Sequence, residues 1–218
     1  MVTRNEGYGR GAGKEELALA ALRGFLKEKI GHDGEEITGY EDNYRLGDLS
    51  FPTGVTVECK GQPVDPARYP QNFVEVFEVT ANDLHLGGLA RAAELLGMPV
   101  DDLVRTRVRA RGAAGVVGNQ QRVSVSISSI AAAGYTAYVN YLDGGRHIYV
   151  YERDELMGHI RTAARQGFVR GAGNSNEDTF AVFVPLSRMR WSRNGTDWRA
   201  TGDEPEQDSL GRLSRSLL

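Results

Sequence analysis

The sequence contains a single cysteine, Cys59, and no long apolar run. One cysteine excludes a disulfide framework and a zinc site built from several cysteines. A transmembrane helix needs about 18 or more consecutive apolar residues, and no such segment occurs. The first residues also lack the apolar core of a secretory signal. We therefore expect a cytoplasmic protein that does not enter a membrane.

Lysine is also scarce, since the chain has only four lysines against 22 arginines. Lys14, Lys27 and Lys29 lie near the N-terminus, and Lys60 is the fourth. Where a simple positive charge is needed the chain uses Arg, so an isolated Lys at the end of a β-like run indicates a compact ammonium with a specific task. The net charge of −3 restricts any nucleic-acid-binding surface to a local basic patch.

Length and composition indicate one globular domain with an adequate core, because the 218 residues are 40% hydrophobic and 25% charged. Glycine-rich and polar residues predict a flexible arm over 1–13. The domain itself is expected over 14–200, with an insertion at 81–121 that carries helices and a basic loop. Residues 201–218 are polar and predict a poorly ordered tail.

The hydrophobic periodicity predicts an α/β protein that starts with a helix over Lys14–Ile30. Strands are predicted over Asn43–Phe51 and Val55–Lys60, joined by a turn at Pro52-Thr53-Gly54. Later β-like runs cover Asn72–Thr80, Arg122–Ser128, Tyr135–Leu142, His147–Tyr151 and Phe180–Pro185, and helical patterns cover Leu84–Leu96, Asp101–Val108 and Glu155–Arg165.

The turn between the first two strands predicts their register. If Phe51 and Val55 close a three-residue loop, Asp48 lies directly opposite Glu58, and alternation puts Lys60 on the same face as Glu58. Opposed side chains have Cβ atoms roughly 4.5–5.5 Å apart, a distance at which two carboxylates repel. A hard divalent cation with oxygen ligands relieves that repulsion, and Mg²⁺ typically takes one or two protein carboxylates. An ordinary polar hairpin face with a Glu–Lys pair in solvent is the alternative interpretation.

The pattern Asp48…Glu58-Cys59-Lys60, which follows a helix and precedes mixed strands and helices, resembles the PD-(D/E)xK nuclease superfamily. Gly47 stands where many members have Pro. The resemblance implies a restriction-endonuclease-like core, that is, a mixed central β-sheet flanked by helices, with a helical insertion in this chain. It also implies that Asp48, Glu58 and the main-chain carbonyl of Cys59 bind Mg²⁺, for which Mn²⁺ would substitute, and that Lys60 assists the attacking water.

Many members of that superfamily carry a further acidic residue on the first helix, and Glu15 and Glu16 are the candidates here. Glu15 falls on the line of the apolar helix face, which is expected to face the sheet, whereas Glu16 falls on the outer face. We therefore prefer Glu15 as a residue that reaches the metal through a water or acts on it from behind the direct ligands. A Glu that favours the helix dipole is an equal alternative. Glu75 and Glu78 could approach the site or lie on a water-facing edge strand.

Two arginine clusters are candidates for contacts with DNA. The alternating residues Arg105, Arg107, Arg109 and Arg111 predict either a phosphate-binding track or a solvated strand or helix end. Gln62, just past the motif, could contact water or DNA, or it could equally be an ordinary loop residue. Arg residues around Trp191 and Trp198 suggest either base stacking or a capping layer of Arg on Trp.

The sequence thus predicts a hydrolase, namely a Mg²⁺-dependent DNA endonuclease that acts on double-stranded DNA as a homodimeric type II restriction-type enzyme. Two alternatives stay open. A structure-selective nuclease of the Holliday-junction resolvase or repair type uses the same chemistry on branched DNA. A non-catalytic DNA-binding subunit would keep the fold without the chemistry, although all three motif side chains are present.

Overall fold

A computed structural model of the protein describes residues 4–38, 46–62, 70–79, 88–105, 108–109, 123–170, 179–202 and 206–218. In chain order its helices and strands are α1 (Arg4–Ile30), β1 (Glu35–Glu36), β2 (Leu49–Ser50), β3 (Thr56–Gln62), β4 (Gln71–Val79), α2 (Gly88–Leu96), α3 (Val100–Arg105), β5 (Val108–Arg109), β6 (Val123–Ser124), α4 (Ser128–Ala132), β7 (Tyr135–Asn140), β8 (His147–Glu152), α5 (Arg153–Gln166), β9 (Phe168–Arg170), β10 (Thr179–Pro185), β11 (Met189–Asn194), β12 (Asp197–Ala200) and α6 (Glu206–Leu217). In these ranges no helix combines the length and the hydropathy that a bilayer crossing needs.

The central sheet is mixed and has the order β1-β2-β3-β7-β8-β11-β12. β3 and β7 run parallel, and the other neighbouring pairs run antiparallel. Helix α1 packs on one face of this sheet, and α5 packs on the other. The expected α/β class, with a mixed central sheet flanked by helices, is therefore confirmed.

The hairpin of β2 and β3 has the register that the turn predicts. Leu49 pairs with Val57 and Ser50 with Thr56, and the backbone N–H of Phe51 donates to the carbonyl of Val55 at 3.1 Å. The loop closes over three residues because a glycine, Gly54 (φ +81°), takes up the left-handed conformation in it.

The first hairpin strand is shorter than expected. Strand β2 covers only Leu49–Ser50 of the predicted range Asn43–Phe51, of which residues 43–45 lie outside the described part. Gly47 has φ +104°, so the chain leaves the extended conformation there. A side chain at this position would place its Cβ 3.2 Å from the carbonyl oxygen of Val57, so a glycine also permits the close approach to β3.

Helix α1 buries an apolar line against the sheet, formed by Ala18, Leu22, Phe25 and Leu26. Burial of each large side chain contributes about 1.5–3 kcal/mol. The helix begins at Arg4, so the arm expected over residues 1–13 is helical from that residue onward. The segment after Lys14 packs on the sheet and serves as the helix nucleus. Extension from it toward the N-terminus adds one hydrogen bond for each residue fixed, which the glycine-rich composition did not indicate.

The polar tail expected over 201–218 contains helix α6, so that prediction is wrong for Glu206–Leu217. Ser209, Leu213 and Leu217 recur every four residues, and all three are buried. The hydroxyl of Thr53, in the hairpin loop, donates to the carbonyl of Ser216 at 2.8 Å and so holds the end of α6.

A second sheet has the order β5-β9-β10-β4-β6 and encloses the larger apolar core together with α5 and the second face of the central sheet. The described part of the 81–121 region contains α2, α3 and β5, so both helices predicted there are present. The predicted second helix ran to Val108, but Val108 belongs to β5, which pairs in parallel with β9.

Candidate active site

Strand β3 presents its side chains to two different environments. Val57 and Cys59 belong to the core that α1 covers. Glu58 points to the other face and is only 2% exposed, and Lys60 follows it on that face. The predicted separation into an apolar face and a polar face is therefore correct, and the polar face holds a buried carboxylate.

Asp48 joins this strand through its side chain. Its Oδ2 accepts a hydrogen bond from the backbone N–H of Cys59 at 2.6 Å, and its own N–H donates to the carbonyl of Val57 at 3.0 Å. The N–H and C=O of one strand residue point to the same edge, so the Cys59 carbonyl lies on the edge of β3 that faces Asp48. The structure thus brings Asp48, Glu58 and Cys59 together, as the register predicts.

The carboxylate of Glu58 has two differently used oxygens. Oε1 accepts a hydrogen bond from the hydroxyl of Ser129 at 2.7 Å and forms an ion pair with the ammonium of Lys60. Oε2 is buried, and no described residue donates a hydrogen bond to it. Burial raises the pKa of Glu58 and the charge of Asp48 raises it further, while Lys60 and Ser129 act in the opposite direction.

Lys60 is the more exposed partner in this pair, because its side chain is 40% exposed whereas that of Glu58 is 2% exposed. Desolvation lowers its pKa, whereas the carboxylates of Glu58, Asp48 and Glu15 raise it, and the resulting pKa lies above the ordinary value. In the metal-free protein Lys60 is therefore an ammonium at neutral pH. It can donate hydrogen bonds and offset negative charge.

Glu15 lies within electrostatic reach of the site, as its helical position predicts. Its charge contributes to the pKa of Lys60, and it acts on Glu75 of β4 as well. The preceding residue, Lys14, places its carbonyl 3.3 Å from where a Cβ on Gly61 would lie, so α1 and the end of β3 are in close contact here. Glu75 was only a weak candidate in the sequence. Burial raises its pKa above the ordinary value, Lys60 acts in the opposite direction, and Glu15 raises the pKa further.

Three further polar groups beside Glu58 were missed in the sequence. Ser129 lies on α4, and Thr136 and Tyr138 of β7 are the strand partners of Glu58 and Lys60. The hydroxyls of Thr136 and Tyr138 are buried and have no hydrogen-bond partner in the described part of the chain. The alternation of polar residues along β7 is a signal that could have identified these two.

Gln62 has a different role from the predicted contact with DNA. Its side chain is buried, its Nε2 donates to the carbonyl of Phe73, and its Oε1 accepts from the backbone N–H of Phe73 at 3.1 Å. The amide therefore substitutes for a strand neighbour and joins β3 to β4. We do not retain Gln62 as a nucleic-acid contact, because binding would require both hydrogen bonds to break.

The arginine candidates are only partly described. Arg105 ends α3 and Arg109 lies in β5, while Arg107 and Arg111 lie outside the described residues. Base stacking by Trp191 and Trp198 is excluded, because both rings are buried against Phe25. The guanidinium of Arg193 lies 5.9 Å from the Trp198 ring, which agrees with the alternative of Arg on Trp.

The donor set suits Mg²⁺ better than a transition metal. In the ranges that the structure describes, no three His, Cys, Asp or Glu side chains are grouped as a metal site. Mg²⁺ does not require such a group, because one or two carboxylates, supplemented by water and substrate phosphate, are its usual protein ligands. The buried Oε2 of Glu58, the carboxylate of Asp48 and the edge carbonyl of Cys59 are all hard oxygen donors, so the residues fit this cation.

No protein-family model, no curated protein and no solved structure matches the chain. A function is therefore inferred from the side chains around β3. Their distinguishing features are two neighbouring carboxylates, a buried carboxylate oxygen without a described donor, and a cation on the exposed side.

Proposed function

We propose that the protein is a Mg²⁺-dependent endodeoxyribonuclease with a restriction-endonuclease-like fold. Asp48, Glu58 and Lys60 meet beside β3, and Glu58 keeps one buried oxygen to which no described group donates. A buried carboxylate oxygen without a partner is costly, and a cation that binds it removes the cost. This is the observation that carries the proposal, and the helix α1 followed by a hairpin of a mixed sheet supports it.

Asp48, Glu58 and the carbonyl of Cys59 are the groups that would hold the cation. When bound, Mg²⁺ supplies Lewis-acid polarisation of the phosphate and lowers the pKa of a coordinated water. The Lys60 ammonium donates a hydrogen bond to the incoming water or to a phosphate oxygen, and it offsets the negative charge that develops there. The ion pair with Glu58 favours this donor role over that of a general base, because an ammonium has no lone pair to accept a proton.

Glu15 completes the arrangement from α1, where its charge reaches Lys60. It acts on the site through Lys60 or through a water, since the structure records no direct bond between Glu15 and the Asp48–Glu58 pair. Hydrolysis adds a water oxygen to phosphorus while the bond to the departing ester oxygen breaks, and that oxygen takes up a proton. The strand cut in this way carries a 5′- and a 3′-end, one of which keeps the phosphate.

Double-stranded DNA is the proposed substrate, and a restriction-type homodimer is the proposed form of the enzyme. Cleavage of both strands needs two such centres, and a closed two-fold dimer provides them with a single surface patch. Because the net charge is −3, DNA must meet a local basic surface, and the Arg105–Arg111 run is our candidate for it.

Digestion of plasmid and phage DNA with Mg²⁺ and with EDTA tests this function. We expect discrete fragments that require Mg²⁺ and disappear in the Lys60→Ala variant. Lys27→Ala is the matched control, because Lys27 is an exposed lysine near the end of α1. Parent-like cleavage by both Lys60→Ala and Asp48→Asn would refute the mechanism.

Four-way junctions assayed beside plain duplexes distinguish the restriction-type enzyme from a resolvase. Cleavage confined to junctions would replace restriction with a structure-selective activity. Absence of cleavage on every substrate, together with no heat of Mn²⁺ binding, would instead indicate a DNA-binding subunit.

A further inference from the structure

We infer that Ser129 is a positioning residue for the proposed metal ligand Glu58, an inference that rests on the proposed function. Its hydroxyl donates to Oε1 of Glu58 at 2.7 Å, and both side chains are buried. Because a hydrogen bond on Oε1 restricts rotation of the carboxylate, Ser129 keeps Oε2 available for the cation that the proposed function requires.

Backbone hydrogen bonds on both sides of Ser129 anchor its segment to two strands. The short helix α4 is tied to β4 through the hydrogen bond from the N–H of Ile127 to the carbonyl of Val76. It is tied to β3 through the N–H of Gly134, which donates to the carbonyl of Thr56 at 2.9 Å. Thr56 is two residues from Glu58 on the same strand, so the serine and the carboxylate are anchored to one framework.

Lys60 cannot provide the same constraint. Both Lys60 and Ser129 donate to Oε1 of Glu58, but the lysine carries its ammonium on a flexible, partly exposed stem. In the proposed reaction this ammonium turns toward the water or the phosphate. Ser129 is then the donor that remains on Oε1, which explains why two donors share one oxygen while the other oxygen receives none from the described residues.

Ser129→Ala, with Ser128→Ala on the same helix as the matched control, tests the inference. Groups that orient a metal ligand from behind typically account for 10–100-fold in metal affinity or activity. We expect Mn²⁺, titrated calorimetrically into the DNA-free protein, to bind about 10-fold more weakly to Ser129→Ala and unchanged to Ser128→Ala. With DNA, kcat at low Mg²⁺ should fall about 10-fold, KM for DNA should stay constant, and excess Mg²⁺ should restore much of the rate.

Excess Mg²⁺ also stabilises any folded protein that binds it, so circular dichroism in EDTA must first give the folded fraction of each variant. A positioning role then predicts weaker Mn²⁺ binding per folded molecule of Ser129→Ala. Ser129→Thr, which keeps the hydroxyl, should retain more Mn²⁺ affinity than Ser129→Ala, and it serves as the second variant if the alanine protein is unstable. Parent-like Mn²⁺ affinity and parent-like metal dependence of cleavage in Ser129→Ala would overturn the inference.

The two proposals fail separately. If Lys60→Ala abolishes cleavage while Ser129→Ala changes neither binding nor rate, only the role of Ser129 is wrong. If the parent protein cuts no DNA but binds Mn²⁺ with an affinity that depends on Ser129, the positioning role stands and the nuclease assignment is wrong.

Discussion

The carboxylate of Asp48 accepts a hydrogen bond from the backbone N–H of Cys59 at 2.6 Å, so a single acidic side chain fastens the approach to β2 onto the middle of β3. This contact aligns Asp48 with Glu58 without a continued strand ladder, which ends at Leu49. Asp48 therefore both holds the hairpin together and is a proposed metal ligand. A substitution that tests the second role must leave the first intact.

Asp48→Asn separates these two roles. The amide oxygen of Asn can still accept the hydrogen bond from Cys59, so the hairpin should persist, but the negative charge is lost. Groups that only orient a metal ligand account for up to about 100-fold in activity. Asp48 is proposed to hold the cation directly, so we expect the rate of plasmid cleavage to fall by more than that. Thermal melting should change little. Asp154→Asn is the control, because the Asp154 side chain is 93% exposed on α5, and it should cut DNA like the parent.

Glu58→Gln should abolish cleavage and yet stabilise the metal-free protein. Burial and Asp48 raise the folded-state pKa of Glu58 above its ordinary 4.5, so folding favours the protonated form. Its contribution to stability is complete below pH 4.5 and is lost as pH rises through the raised value. At pH 7.5 in EDTA the neutral Gln should therefore raise the Tm above that of the parent.

The pH dependence is the decisive control for this variant. The difference in Tm between Glu58→Gln and the parent should narrow as pH is lowered toward 4.5. Glu152→Gln, at an exposed position, should show no such trend. Lys60 loses its partner in the variant but can turn its partly exposed ammonium to water. A Glu58→Gln protein that melts below the parent at pH 7.5 would contradict this account of the buried charge.

Leu213→Ala tests whether α6 belongs to the core. Leu213 is buried in the cluster that α1 and the central sheet form, so its truncation should cost about 2–5 kcal/mol of unfolding free energy. Urea unfolding measures this. Leu218→Ala removes a leucine that is 50% exposed at the end of the chain, and it should change stability by less than about 0.5 kcal/mol. Equal effects of the two variants would show that α6 does not pack on the core.

Gln62→Glu tests the connection between β3 and β4. A carboxylate cannot donate to the carbonyl of Phe73, so the variant should lose about 1–3 kcal/mol of stability. Gln71→Glu, an exposed change on β4, is the matched control. Metal-free gel-shift assays should give equal DNA affinities for the folded Gln62→Glu and Gln71→Glu proteins. Selective loss of affinity in Gln62→Glu would restore Gln62 as a DNA contact.

The hairpin could be predicted because its determinants are local. Pro52-Thr53-Gly54 closes the loop, and the two-residue alternation on either side then sets which side chains meet. The same local logic placed Glu15 rather than Glu16 toward the sheet. Helix α6 was equally local, since Ser209, Leu213 and Leu217 recur at helical spacing, but the polar composition around them concealed the pattern.

Non-local partners could not be predicted. Ser129 lies 71 residues from Glu58, and no periodicity in either segment specifies that α4 packs over β3. Gln62 looked like a loop residue because the sequence does not reveal that β4, which pairs with β10 at Phe73, turns its other edge there to the Gln62 amide. Burial of Trp191 and Trp198 likewise depends on the arrival of α1 at that part of the sheet.

Because β3 pairs in parallel with β7, the candidate site around Glu58 is complete only after both strands have folded. The two strands are joined only after a long intervening segment closes, since Glu58 pairs with Thr136. Contacts of such wide sequence separation form late, because the loop entropy must be overcome first. During synthesis, a chain that has emerged only through its hairpin holds Asp48 and Glu58 but neither Ser129 nor β7. We therefore expect the proposed metal site to form only after the later half of the newly synthesised chain has folded.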